Sequence, residues 1–71
     1  MGPEAAQQDR YCMEAVGRLA VEFGGVVSRR VVTTTVLEAR RDLEGRIVPE
    51  ALAEMLHRLA HHRLDRMRAN T

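Results

Sequence analysis

The sequence predicts an all-α fold, a three-helix up-down-up bundle that pairs with a second copy of itself. Three observations lead there. Apolar residues recur at spacings of three and four in three separate segments, the period of a helix with one buried face. Glycines and helix-capping residues fall between those segments. The connections between them are short, which makes successive helices antiparallel neighbours.

Each element has its own signals. Residues 1–7 are polar and small and include Gly2 and Pro3, so they read as a disordered N-terminal tail. The bundle is expected over residues 8–68. Its first helix spans 8–23, where Cys12, Val16, Leu19 and Phe23 form a narrow stripe with Met13 and Ala20 on its shoulder. Asp9 suits the positive end of that helix, and Gly24-Gly25 supplies the left-handed turn that ends it.

The second helix spans 28–43. Ser28 is a good N-cap, and Val32, Val36, Ala39 and Leu43 repeat the spacing of the first stripe. The run Val31-Val32-Thr33-Thr34-Thr35-Val36 is β-branched throughout, so local propensity alone favours a strand. Helix is still the better reading, because the apolar period is helical and a lone strand has no partner. Gly45 closes the helix, and Arg46-Ile47-Val48 is a connector.

The third helix spans 49–68. Pro49 fits its first position, with Glu50 and Glu54 near its positive end and Arg58, Arg63, Arg66 and Arg68 toward its negative end. Leu52, Leu56, Leu59, Ala60, Leu64 and Met67 occupy roughly 140° of its surface, wide for one neighbour. Residues 69–71 should fray. The expected core is the three stripes together.

Composition narrows the function classes. A 71-residue chain buries only about 60% of its unfolded surface and is marginal without an addition to its core. Cys12 is the only cysteine, so an internal disulfide is excluded and oligomerisation becomes the leading addition. The formal charge of +1 is not the basic excess of a generic nucleic-acid binder. Residues 1–25 carry two Arg against four acids, whereas the rest is mildly basic. All eleven basic residues are Arg, a bias read as genomic rather than functional. Tyr11 and Phe23 are the only aromatics, too few for base stacking. No segment has the apolar length of a membrane span, and no export signal precedes the bundle. The expected location is cytoplasmic.

The chemical constellations are weak. His57 and His61 are one turn apart with Glu54 a turn earlier, a spacing that can serve a metal. They lie at the polar edge of the stripe without further ligands nearby in sequence, so they read as a solvated face with a His61–Asp65 pair. No metal or cofactor is expected. Cys12 lacks a neighbouring base and reads as a small buried hydrophobe, and Thr33, Thr34 and Thr35 read as exposed. Neither a nucleophile–base pair nor a carboxylate pair stands out, so an enzyme is not expected.

Arg63 falls within the apolar stripe of the third helix. It either snorkels to water or pairs with an acid: Glu38, Asp42, Glu44, or one from a second chain. Leu37, Tyr11 and Val21 lie off the main stripes, and Met55 sits at the edge of one. Leu37, Met55 and Arg63 are the candidate interface residues.

The stretch from Val32 reads V-x-x-x-V-x-x-A-x-x-D-L-x-G, and from Leu52 L-x-x-x-L-x-x-L-A-x-x-R-L. With Leu19, Ala20 and Phe23 before the glycines, it resembles a small actinobacterial three-helix-bundle dimerisation domain. That family occurs as stand-alone proteins and as the N-terminal extension of low-molecular-weight phosphatase-like arsenate reductases. The match runs over residues 10–68 through Val32, Val36, Ala39, Asp42, Leu43, Leu56, Leu59, Ala60, Arg63 and Leu64. The β-branched run and the three histidines depart from it. The resemblance implies association rather than catalysis, because the cysteine phosphate loop of the phosphatase domain is absent here. The expected partner is a second copy. The second reading is a helix-turn-helix-like nucleic-acid binder, against which the near-neutral charge stands, and the third is an adaptor or regulator of a separate enzyme, with another protein chain as partner. No membrane partner is expected.

Overall fold

The computed structural model describes the backbone of residues 3–69 and the side chains of residues 10–48 and 50–69. It contains three helices: α1, Pro3–Glu22; α2, Arg29–Leu43; and α3, Pro49–Ala69. Each packs against both others, and no strand occurs among the described residues. The chain is an all-α three-helix bundle.

α1 starts five residues before the expected position. Residues 3–7 are helix, not tail. Pro3 is preset for the first helical position, and Glu4, Ala5, Ala6 and Gln7 are good helix formers. They lack an apolar stripe, which is why the hydrophobic pattern passed them over. Met1 and Gly2 lie outside the described residues. The helix ends at Glu22, but Phe23 still donates its N–H to the Leu19 carbonyl at 2.9 Å. Val26 and Val27 then both donate to the Phe23 carbonyl, at 3.0 and 3.1 Å, around Gly25 with φ 81°. Val27 folds back onto the core.

α2 is a helix despite its β-branched run. The Ser28 hydroxyl accepts from Val31 N–H at 3.2 Å, which satisfies one otherwise orphaned donor. The Thr33 hydroxyl donates to the Arg29 carbonyl at 2.9 Å. Val32, Thr35, Val36 and Ala39 all point inward, so the run delivers a helical stripe and tertiary packing overrides propensity. Thr35 is 3% exposed, against the expectation of an exposed threonine; Thr33 is half-buried and Thr34 is exposed. Gly45, with φ 76°, turns the chain toward α3.

α3 is one residue longer than expected at its C-terminus, since Ala69 is helical; Asn70 and Thr71 lie outside the described residues. Arg18 lies beside Ala53, Glu54, His57 and Arg58, Glu22 beside His57 and His61, and Val26 beside Asp65 and Arg68. Both chains of residues ascend together, so α1 and α3 run in the same direction, as an up-down-up bundle requires.

The core joins Cys12, Val16, Leu19 and Phe23 of the first segment to Val32, Val36 and Ala39 of α2 and Leu56, Ala60 and Leu64 of α3. Leu52 is buried as well. Ala15 is an additional core member. Leu43 and Leu59 are only partly buried against this cluster: Leu43 is the last residue of α2, and Leu59 sits at the margin of its stripe. Met67 falls off the core altogether, at 43% exposed, as the stripe drifts round α3 toward its end. Met13 is exposed too, whereas Tyr11 packs against the core from the side.

Candidate functional site

Two surfaces carry the residues singled out by the sequence. The first is the exposed surface of α2 and α3, whose apolar residues are spread around each helix rather than along one stripe. Leu37 is 50% exposed and Met55 36% exposed. Val31 and Met67 are exposed on the same two helices. Arg63 behaves differently from its two fellow candidates. Its Nη2 donates to Asp42 Oδ2 at 2.6 Å, tying α3 to α2. Of the acids considered for it, Asp42 is the one engaged, and the bond lies within the chain. The contact is charge-assisted and short, but Arg63 is a third exposed, so its place in the apolar stripe does not bury its charge.

The second surface is where the end of α1 meets α3. Glu22 reaches across with one carboxylate oxygen toward each of two imidazoles: Oε1 lies 3.5 Å from His57 Nε2, and Oε2 lies 3.4 Å from His61 Nε2. These separations exceed an ordinary N–H···O length. His57 Nε2 is buried and makes no hydrogen bond. The His61 ring leans on the Phe23 ring, centroids 5.1 Å apart and tilted by 57°. The two imidazole centroids are 6.0 Å apart.

This corrects the expected His61–Asp65 pair. Asp65 Oδ1 accepts from Arg68 Nη2 at 2.7 Å instead, while Glu54 lies 3.7 Å from Arg58 rather than serving the histidines. The helix geometry explains the exchange. His57 and His61 face α1, and Asp65 lies a further turn on, where Arg68 can fold back to it. Glu22 was missed because it sits on a different helix, thirty-five residues before His57. Its one sequence signal is position: it immediately precedes the core residue Phe23 at the end of the first stripe.

Cys12 is buried among the core residues. No helix is long and apolar enough to cross a membrane among the described residues. Comparison with family models, characterised proteins and solved structures finds no match to this chain.

Proposed function

We propose that this chain is a non-catalytic self-association module of the cytoplasm, whose partner is a second copy of itself. The observation that carries the reading is the apolar surface left exposed around the bundle, Met13 and Val21 on α1 included. Leu37 and Met55 remain exposed after the core has formed, as do Val31 and Met67. An 8.0 kDa chain with one cysteine has a small core for its surface, and burying this surplus against a like chain stabilises it further. The resemblance to actinobacterial dimerisation domains supports the same reading. Leu37 and Met55 are the contact residues; Arg63 holds α3 to α2 through Asp42.

The charges weigh against nucleic acid. Of the four arginines on α3, Arg58 faces Glu54, Arg63 holds Asp42 and Arg68 holds Asp65. Three of the cations that would meet phosphates already face acids of this chain.

Absolute mass by light scattering on a size-exclusion column, across a concentration range, tests the proposal. The expected mass is near twice 8.0 kDa. A persistent monomer overturns self-association. Leu37→Asp and Met55→Asp should each move the balance toward monomer with the helical signal kept. Assembly unchanged in both variants shows that a different face is used.

A further inference from the structure

Resting on that self-association, we propose that the second copy docks along α2, antiparallel and across a twofold axis at Leu37, with Arg30 of each chain paired to Glu44 of the other. Arg30, Leu37 and Glu44 recur every seven residues. Seven residues are two helical turns with a drift of about 20°, so the three lie along one side of α2. All three are exposed. The buried residues Val32, Val36 and Ala39 lie at least about 100° round the helix from Leu37. Glu44 is the C-cap, and its N–H still donates to the Arg40 and Arg41 carbonyls, so it keeps its place on the spiral.

Two charge observations favour this partner and this direction. The first is the helix dipole, positive at the N-terminus and negative at the C-terminus. Arg30 lies in the first turn of α2, which holds no acid, and Glu44 caps the far end. Each charge therefore sits at the unfavourable end of its own helix, and an antiparallel partner brings each to a favourable end. The second is that neither side chain has an ion pair or hydrogen bond among the described residues. They are about 21 Å apart along α2, too far to meet within one chain. Arg30 lies seven residues before Leu37 and Glu44 seven after it, so an antiparallel pair centred on Leu37 sets them face to face, and the twofold axis makes the contact twice. A parallel pair would set Arg30 against Arg30 and Glu44 against Glu44, which like-charge repulsion disfavours. In the antiparallel pair Arg41, four residues after Leu37, falls opposite Thr33 rather than another arginine.

Sedimentation equilibrium of the full chain tests this with Arg30→Glu and Glu44→Arg. Each variant alone places like charges at both ends of the contact, and its dissociation constant should rise about tenfold. Each also improves the charge at its own helix end, so circular dichroism should show the helices kept, and a weakened dimer is not an unfolded one. Mixed in equal amounts, the two variants carry opposite charges at both facing pairs, and a mixed dimer should form with about the wild-type constant. Single variants that dimerise like the wild type overturn this contact while leaving self-association through another face, and so does a mixture that restores nothing. A wild-type chain that stays monomeric overturns both.

Discussion

Single residues decide much of the local energetics. Gly17 lies inside α1, and a Cβ added there meets nothing within 4 Å. Glycine in a helix interior costs about 0.5–1 kcal/mol relative to alanine. Gly17→Ala should therefore stabilise the chain by about that amount and raise its melting temperature by roughly 2–8 °C; an unchanged or lower value in a thermal melt contradicts the open surroundings. The Asp42–Arg63 bond invites the opposite test. The two side chains are 52% and 33% exposed, so water screens the pair, and Asp42→Asn should cost no more than about 1 kcal/mol. Denaturant unfolding measures it, and the loss should shrink at high salt. That Arg63 needed a partner was readable from its place in an apolar stripe. Which acid supplied it was not, because several acids on α2 and its C-cap had comparable reach and only the packed geometry separates them.

At the scale of elements, sequence pattern and structure part company where two physical effects compete. α2 has a helical apolar period and a strand-like composition, and the period prevails because Val32, Val36 and Ala39 are fully buried. Its propensity remains poor, so the cap at its start carries more weight. Ser28→Ala should cost about 1 kcal/mol, read from the shift in a urea midpoint, and a shift indistinguishable from zero removes the cap from the account. The opposite competition occurs at the start of α1, where good propensity without an apolar stripe still gives a helix over residues 3–7. Hydrophobic periodicity thus located all three helices and most of the core, yet it cannot register a helical segment whose sequence carries no apolar stripe. Nor can it register the Glu22 cluster. That cluster depends on the azimuth of α3 relative to α1, which brings His57 and His61 round to a carboxylate on another helix.

For the whole molecule the question is whether stability depends on a second chain. Leu56 is fully buried at the junction of the three helices. Leu56→Asp places a charge where nothing can solvate it, at a cost above the margin by which small domains are folded, so circular dichroism should show the helices lost. Leu37 is half-exposed, and Leu37→Asp leaves the interior of one chain intact. If assembly supplies stability, the wild-type melting temperature must rise with protein concentration, because a partner that binds only the folded state pulls the equilibrium by mass action. Leu37→Asp should flatten that dependence and bring the melting temperature toward that of the dilute wild type, while keeping the helical signal below the transition. A wild-type melting temperature that stays constant over a hundredfold range of concentration would mean that the core of one chain suffices. The exposed residues of α2 and α3 would then have to be explained by something other than a second copy.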